Sequence, residues 1–424
     1  MNLTHYIKLK LLRHSLACFA LATCSATLAS AAVTWHDVQF GGFASQGYIA
    51  NTGSNDYLGD TSGGGTFDFR EYAANASYAR DEWRIGAQIF GQKLGDYGND
   101  RIALDWASID YQPAQWFGVR AGRVKTPRGL YNEALDLDSV RPFVLLPQSV
   151  YDARLRNFNA AFNGAMFFGN VGLKKIGSLD YRVYYGDIPL STSSGASDYF
   201  NNDAPIANGK IAMDATYGGS LFWNTPLQGL KLGYSYTEFK NFFADRILDG
   251  GSGVAHRATP HYVRQLVSAE LSRGDWVFAL EFGEDTALYY IALPPGAGTP
   301  PPGAPPGGPG GAGVTVTLRN NASQDFQARY GYISVARRIT QRFELGAYMS
   351  YSRDVLLGVG PYRLSQMDYA ISGHYDINDH LLVKVEVHQM NGSGKLFDTA
   401  SHSQPIAGRD NSWTLFAVKT TLSF

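Results

Sequence analysis

Large apolar side chains occupy every second position along most of the chain after residue 36. In the segment 276–284 (WVFALEFGE), alternate residues from Trp276 to Phe282 are large and apolar, whereas Glu281 and smaller residues lie between them. Successive side chains of a β-strand point to opposite faces. The pattern therefore predicts strands with one apolar face and one mixed face. The last run, residues 411–424, has the same character and ends on Phe424.

The connections between these segments are alternately short and long along the chain. Short turns such as Asp81-Glu82 and DINDH (376–380) alternate with long polar loops such as 51–65. We predict about 16 strands, with boundaries that can shift by about two to four residues. They span residues 36–50, 66–80, 83–93, 101–111, 116–125, 157–168, 179–187, 210–223, 230–240, 261–271, 276–284, 325–338, 342–353, 365–375, 381–390 and 411–424.

Long loops at one end and short turns at the other are typical of a barrel that crosses an outer membrane. A soluble sandwich or propeller has no reason to sort its loops in this way. In lipid, an unpaired backbone group is costly, so a sheet that crosses a membrane must close on itself. We therefore predict an all-β fold: an antiparallel transmembrane β-barrel of about 16 strands, forming a single domain over residues 32–424. Both termini then lie on the side of the short turns, and the C-terminal Phe resembles the insertion signal of outer-membrane barrels.

The first residues predict a signal peptide. Three basic residues precede a short apolar stretch, and Ala29-Ser30-Ala31 fits a cleavage site, so residues 1–31 are expected to be removed. The apolar stretch is shorter than the roughly 20 residues that span a bilayer. A lipoprotein with Cys24 as its lipidated residue is the alternative, but Thr23 is a poor residue before such a cysteine. The expected location is the outer membrane of a Gram-negative cell.

Composition narrows the classes of function. Lys and Arg total 36 against 37 Asp and Glu, so nothing points to nucleic acid as a partner. Charged residues are 17% of the chain and aromatic residues 13%, which suits an envelope β-protein. Both cysteines, Cys18 and Cys24, lie in the predicted signal peptide. A mature chain without cysteine excludes a cysteine nucleophile and cysteine-ligated metal sites, and we expect no cofactor.

The connection after the fifth predicted strand differs from the other long loops. It contains the apolar run FVLL (143–146) among many charged residues, an arrangement that gains nothing unless the loop packs against something. We predict that residues 125–156 fold into the barrel and narrow it, with the charges across the opening. The charged residues of this constriction are Arg120, Arg123, Lys125, Arg128, Glu133, Asp136, Asp138, Arg141, Arg154 and Arg156.

Within this connection, the string AGRVKTPRGLYNE (121–133) resembles the segment that follows a strand in Gram-negative outer-membrane porins akin to the phosphate-selective porin O and P family. The resemblance implies a 16-stranded channel whose third long loop folds inward. It also implies a homotrimer, although a monomer stays open. Phosphate-selective members line the pore with an arginine ladder and lysines, and this sequence lacks that density of basic residues. The resemblance therefore does not specify the solute.

The face that carries Gly, Ser, Gln and charges is expected to line the lumen. The charged or titratable residues assigned to that face are Arg84, Asp105, Arg182, Lys231, Arg264, Glu270, Glu281, Arg329, Glu344, Asp368, Lys384, Glu386, His388 and Lys419. Rings of fixed charge in a narrow wet pore favour ions of one sign. Since acidic and basic residues are nearly balanced here, we predict passive diffusion of small hydrophilic solutes or ions with a weak preference for anions. Outer-membrane lipid or lipopolysaccharide is the expected partner of the apolar face.

Other interpretations of the sequence remain open. A barrel that does not conduct, acting as an adhesin or structural protein, would use its loops as a binding surface. A membrane esterase would need a nucleophile beside Asp368 and His388, but Ser372 lies about 13 Å along the strand from Asp368. Glu133, Asp136 and Asp138 are close together without the regular spacing of a calcium loop. The Pro/Gly-rich segment 290–320 is expected to be an extracellular loop with polyproline character.

Overall fold

The computed structural model describes residues 33–59, 61–62, 64–200, 207–247, 254–292, 322–355, 365–396 and 408–424. The expected signal peptide lies outside the described residues, as do residues 293–320 of the Pro/Gly-rich segment. No described helix is long and apolar enough to cross a membrane.

Eighteen strands account for most of the described chain. Their bounds are β1 (Val33–Trp35), β2 (Val38–Asn51), β3 (Phe69–Arg80), β4 (Trp83–Leu94), β5 (Ala103–Ala114), β6 (Phe117–Lys125), β7 (Ala161–Gly172), β8 (Ser178–Asp187), β9 (Ala207–Ala212), β10 (Ala215–Asn224), β11 (Leu230–Ile247), β12 (Val254–Arg273), β13 (Trp276–Ala292), β14 (Ala322–Arg338), β15 (Phe343–Val355), β16 (Ser365–Asp376), β17 (Leu381–Gly392) and β18 (Ser412–Ser423). Short helices are α1 (Arg156–Asn159) and α2 (Gly195–Phe200), with single 3-10 turns at Asn132–Ala134, Asp138–Val140, Ala153–Leu155 and Lys174–Ile176.

Sixteen of these strands, β2–β8 and β10–β18, form a closed antiparallel barrel, which confirms the predicted fold. The last strand closes the barrel on the first, since β18 pairs with β2 from Leu415–Asn51 to Ser423–Phe43. Closure satisfies every strand edge within the sheet, which is the condition for a barrel in lipid. The terminal run of the sequence is therefore part of the barrel wall.

Strand β1 was not predicted, and the predicted strand 210–223 is divided into the end of the short strand β9 and the wall strand β10. Strand β1 pairs with the part of β2 that extends past the end of β18, from Val33–Phe40 to Trp35–Val38. Strand β9 pairs with the far end of β11. Both are too short for a periodic pattern to be recognised, and each covers an edge that the neighbouring wall strand leaves open.

The two faces of the wall differ as expected. Trp276, Phe278, Leu280 and Phe282 point outward and are 39–51% exposed. On the inner face, aromatic side chains of the wall and apolar side chains from the segment between β6 and β7 form the largest buried cluster. The outer face can contact acyl chains, whereas the inner face packs against polypeptide.

One lumen assignment is wrong. Arg329 was expected on the inner face, but Tyr330 and Tyr332 occupy that face of β14 and are buried. Arg329 points outward, with its side chain 57% exposed and its Nε 2.9 Å from a carboxylate oxygen of Glu284. The two tyrosines make the inner face of this strand as apolar as the outer one, so hydrophobicity alone does not identify the lipid side here.

Candidate functional site

The connection between β6 and β7, residues 126–160, lies inside the barrel; we call it the inner loop. Its apolar run is buried, with Phe143, Val144, Leu145 and Leu146 only 1–4% exposed. Val144 and Leu145 pack with wall residues such as Trp413 of β18. Burial of this run against the wall accounts for an apolar sequence in a connection that otherwise carries many charges.

A carboxylate on β13 holds the first part of the inner loop. One oxygen of Glu281 accepts a hydrogen bond from the backbone N–H of Leu130 at 2.9 Å, and the other accepts from the hydroxyls of Tyr151 and Tyr332. Gly129 adopts a φ of 61°, and a Cβ there would lie 2.5 Å from Glu281 Oε1. Glycine is therefore required where the loop backbone approaches the wall.

A second carboxylate, on β17, holds the middle of the inner loop. Glu386 accepts hydrogen bonds from the backbone N–H groups of Val144 and Leu145 at 2.9 and 3.0 Å. Beside it, Lys384 Nζ donates to the carbonyl oxygens of Asp138 and Phe143 at 2.6 and 3.1 Å. Strand β17 thus binds the loop backbone through side chains at alternate positions.

His388 lies between Glu386 and Asp368 and contacts both carboxylates. Its Nδ1 lies 2.9 Å from Asp368 Oδ1 and its Nε2 lies 2.8 Å from Glu386 Oε1, and the histidine is fully buried. Ser372 Oγ instead donates to the carbonyl oxygen of Pro142 at 2.8 Å. The histidine and both acids are therefore part of the packing between the loop and the wall, and Ser372 binds the loop backbone.

A third attachment lies on β5, across the barrel from β13. Asp105 and Asp136 together bind Lys125 and Arg156, with N–O distances of 2.5–3.1 Å. Asp105 is the extra residue of a bulge in β5, where Gln88 pairs with Trp106 and Ile89 with Leu104. Burial alone would raise the pKa of Asp136, but Arg156 and Lys125 outweigh burial and hold that pKa below its usual value.

Asp138 is the centre of another ion cluster of the inner loop. It lies 2.8 Å from Arg141, 2.9 Å from Lys419 and 3.7 Å from Lys384, and it accepts from Thr421 Oγ1 at 2.6 Å. Burial opposes its ionisation, yet Lys419, Lys384 and Arg141 hold the pKa of Asp138 well below its usual value. The carboxylate therefore stays charged deep in the barrel.

The other predicted constriction residues also have specific contacts. Arg120 forms a two-pronged ion pair with Asp110 on the inner face at 2.6–2.7 Å. Arg128 donates to the carbonyl oxygen of Val150 at 2.9 Å, and Arg154 binds Asp152 at 2.8–2.9 Å.

Glu133 and Arg123 complete the predicted constriction. Glu133 lies 3.4 Å from Arg182 of β8. Arg123 pairs in register with Ala107 and Asn163, on the face opposite to Arg120, so its predicted position in the constriction is wrong. Its guanidinium instead donates to the carbonyl oxygen of Asp105 at 2.9 Å.

The remaining predicted lumen residues lie on the inner face at different heights. Arg264 binds Asp285 at 2.8 Å, and Lys231 lies 4.8 Å from the ring centre of Phe222. Two of them lie near the short-turn end. Arg84 is in register with Asp110. The carboxylate of Glu344 lies 3.4 Å from the guanidinium of Arg338 and 3.7 Å from the ring of His374.

Several acids and amides of the site were missed by sequence reasoning. Glu71 and Asp110 lie within predicted strands but were not assigned to the lumen. The bulge at Asp105 places both Asp105 and Asp110 on the inner face, whereas regular alternation would put them on opposite faces. Asp285 lies one residue past the predicted end of its strand, because β13 extends to Ala292. Asp152 lies in the inner loop, where no periodic pattern indicates direction. Asn159 falls at the start of the predicted strand 157–168, but residues Arg156–Asn159 form α1 and β7 begins only at Ala161.

Two small cavities lie between the inner loop and the wall. One of about 50 Å³ lies toward β3, β4 and β18, and is bordered by Glu71, Asp136, Arg141, Arg156 and Lys419, among others. The other, of about 10 Å³, lies toward β12–β15. Among the described residues, no group of His, Cys, Asp or Glu is arranged to hold a metal ion. Glu133, Asp136 and Asp138 each bind different basic residues.

No protein family matches the sequence, and no curated protein sequence matches it significantly. The resemblance to the phosphate-selective porins is therefore not confirmed. Solved structures do match.

OmpF of Salmonella typhi, solved with daunomycin, is similar with a TM-score of 0.54 and 11% identity over 92% of this chain and 99% of that chain. An anion-selective porin from Comamonas acidovorans is similar with a TM-score of 0.50 and 10% identity, over 91% of this chain and 99% of that chain. OmpT of Vibrio cholerae in its trimer form is similar with a TM-score of 0.51 and 9% identity, over 91% of this chain and 99% of that chain. At these identities the comparisons establish the fold, and this chain has the fold of Gram-negative outer-membrane porins.

Proposed function

We propose that this protein is an outer-membrane porin through which small hydrophilic solutes or ions diffuse passively. The observation that carries the proposal is the inner loop, which crosses the lumen and is bound to β5, β13 and β17 by charged side chains. A loop fixed in this way narrows a water-filled barrel without requiring energy or a cofactor. More than half of the residues that border the two cavities beside the inner loop are charged or polar, which suits a path for hydrated solutes.

The barrel would span the outer membrane after removal of the signal peptide. The outward apolar residues of β13 and its neighbours would contact lipid, and the long connections would face the outside. Residues 290–320 would belong to one of these extracellular loops. Lipid and lipopolysaccharide are then the natural partners of the outer face.

We expect a weak preference for anions. The segment from Arg120 to Arg156 is rich in basic residues, but most of them pair with carboxylates such as Asp105, Asp110 and Asp152. Paired charges leave only a small net field in the constriction, so the preference should be small. Phosphate selectivity is not part of the proposal.

We also expect a homotrimer. OmpT of Vibrio cholerae, which has a similar fold, has been solved in a trimer form. Chemical cross-linking of the detergent-extracted protein tests this expectation, because a monomer would give no ladder of two and three chains.

Conductance of the purified barrel in planar lipid bilayers tests the proposed function. We expect discrete current steps in several salts and a reversal potential slightly toward the anion side in a salt gradient. Heat-denatured protein is the control. A folded barrel that gives no steps would refute the channel, and strong cation selectivity would refute the predicted preference.

A barrel without transport function is the second candidate, and one observation favours it. The inner loop is bound to the wall at β5, β13 and β17, and a cavity of only about 50 Å³ lies beside it. If the folded protein carries no current, the lumen is closed and the extracellular loops become the candidate binding surface for an adhesin or structural role.

A further inference from the structure

Two arginines face each other on the outer surface of the wall. Arg329 of β14 is in register with Arg353 of β15. Both side chains point outward, because the adjacent residues Tyr330, Ser352 and Asp354 are 2–4% exposed and lie on the inner face. Like charges directly opposite each other on neighbouring strands are destabilising. A negative group close to both arginines would therefore stabilise this part of the sheet.

The chain neutralises only one of these two charges. Glu284 of β13 lies 2.9 Å from Arg329. Among the described residues, Arg353 forms no ion pair, and its neighbour on the other side is Ser365 of β16. The two arginines and Glu284 together thus carry one uncompensated positive charge on the outer surface.

A comparable pair of basic residues elsewhere on the outer surface is fully neutralised. Arg70 of β3 is in register with Lys93 of β4. Asp100 lies 2.8 Å from Arg70, and Asp68 lies 3.1 Å from Arg70 and 3.6 Å from Lys93. Two acids balance two bases there. The excess charge at Arg353 is therefore a local feature of β13–β15.

The height of Arg353 matches one edge of the membrane. Phe343, at the short-turn end of β15, and Arg353 are ten residues apart, and the outward residues between them are Leu345, Ala347, Met349 and Tyr351. Ten residues of a strand extend about 34 Å, which a tilt of about 40° reduces to about 26 Å along the membrane normal. The apolar band of such barrels is about 25 Å tall. Arg353 thus lies at the level of the lipid headgroups on the long-loop side.

The outer surface below the arginines is apolar. Phe282, Ile333 and Met349 are 51%, 50% and 43% exposed there. Acyl chains can cover these side chains while a headgroup reaches the arginines. Guanidinium groups bind phosphate through parallel N–H bonds, so a lipid phosphate has the charge and the geometry that Arg353 lacks within the chain.

We propose that Arg329 and Arg353 form a binding site for a phosphate group of lipopolysaccharide. The inference rests on the proposed function, which places the long loops, and hence this pair, on the outer side of the outer membrane. Lipopolysaccharide carries phosphate groups between its acyl chains and its sugars. Its acyl chains would contact Phe282 and Met349, and its phosphate would compensate the excess positive charge.

Titration of the purified barrel with lipopolysaccharide in detergent tests the inference. Arg353→Gln removes the uncompensated charge and breaks no ion pair of the described chain. We expect about tenfold weaker binding, the loss that corresponds to one hydrogen bond between charged groups. Arg337→Gln is the matched control, because Arg337 lies on the same face of β14 at the short-turn end, 4.8 Å from the ring centre of Trp276. It should bind like the wild type.

The ligand provides an independent test of the phosphate. Lipopolysaccharide stripped of its phosphates should bind the wild type about tenfold more weakly than the intact lipid. Arg353→Gln should bind both lipids equally, because the contact is already missing. Displacement of lipopolysaccharide by equal concentrations of phosphatidylglycerol or inorganic phosphate would overturn the assignment of lipopolysaccharide.

The outcomes distinguish the inference from the proposed function. A conducting wild type with the same lipopolysaccharide affinity as Arg353→Gln would overturn the inference alone. A folded barrel that binds lipopolysaccharide through Arg353 and carries no current would overturn the channel alone. The different electrophoretic mobility of heated and unheated barrel verifies that each variant is folded. If Arg353→Gln fails to fold, equal binding of the two lipids by the wild type would still overturn the inference.

Discussion

Glu386 of β17 accepts hydrogen bonds from the backbone N–H groups of both Val144 and Leu145, at 2.9 and 3.0 Å. One carboxylate of the wall thus binds two successive amides of the inner loop. Because all three residues are buried, the bonds compete with little water. An unpaired donor left by losing them would be costly.

Replacing Glu386 should therefore loosen the loop. In Glu386→Gln, one oxygen becomes an amide that cannot accept, so one backbone N–H loses its partner at a cost of about 1–3 kcal/mol. We expect a lower midpoint of thermal unfolding in detergent and noisier channel currents. Glu344→Gln is the control, since Glu344 binds Arg338 and His374 near the short turns. Equal effects of the two substitutions would contradict the assigned role of Glu386.

Gly129 permits a second prediction with a close control. Gly129→Ala combines backbone strain at positive φ, about 1–2 kcal/mol, with a clash against Glu281. Gly274 has a φ of 60° but nothing within 4 Å of a Cβ built there. Gly274→Ala should therefore cost the strain alone. Urea unfolding of both variants measures the difference, and an equal loss of stability would show that the loop does not press on Glu281.

Acid should release the loop, but only at low pH. Burial acts to raise the pKa of Asp138, but Lys419 and Lys384 lower that pKa by more than burial raises it. Arg156 and Lys125 lower the pKa of Asp136 in the same way. A depressed pKa stabilises the fold above the unfolded value of about 3.9 and loses that contribution as pH falls through the folded value. The midpoint of thermal unfolding in detergent should therefore begin to fall only below about pH 4 as acid is added. A fall that already begins between about pH 6 and 5 would contradict the ion clusters.

Labelling distinguishes the two faces of the wall. The only cysteines, Cys18 and Cys24, lie in the expected signal peptide, so a single introduced cysteine can be modified selectively. A bulky, water-soluble thiol reagent should reduce the current through Lys231→Cys, because Lys231 faces the lumen. The same reagent should not affect the current through Arg329→Cys. Current block in Arg329→Cys would restore the original inward assignment of that residue.

The barrel itself could be predicted from the sequence because lipid imposes a strict rule on the wall. Period-two alternation and the sorting of long and short connections predict the closed fold, and the apolar run 143–146 among charged residues predicts the inward loop segment. The rule weakens where the lumen is filled with polypeptide. Tyr330 and Tyr332 pack against the inner loop, so apolar character no longer marks the outer face and Arg329 was assigned inward.

The contacts of the inner loop were beyond sequence reasoning for a different reason. Its charged residues were recognised, but their partners depend on which wall strand each part of the loop reaches. Asp105 was predicted on the inner face, but its ion pairs with Lys125 and Arg156 form at a bulge that adds one residue to β5. Asp152 carries no periodic signal, and Asn159, at the start of a predicted strand, instead ends α1.

The most direct test compares single-channel conductance of the wild type with that of a variant carrying both Glu281→Gln and Glu386→Gln, under the same salt. We predict small, discrete steps for the wild type and larger or fluctuating steps for the variant, because two of the three attachments of the inner loop are weakened. A silent wild type, or two folded barrels with identical steps, would contradict the account in which this loop sets the width of the channel.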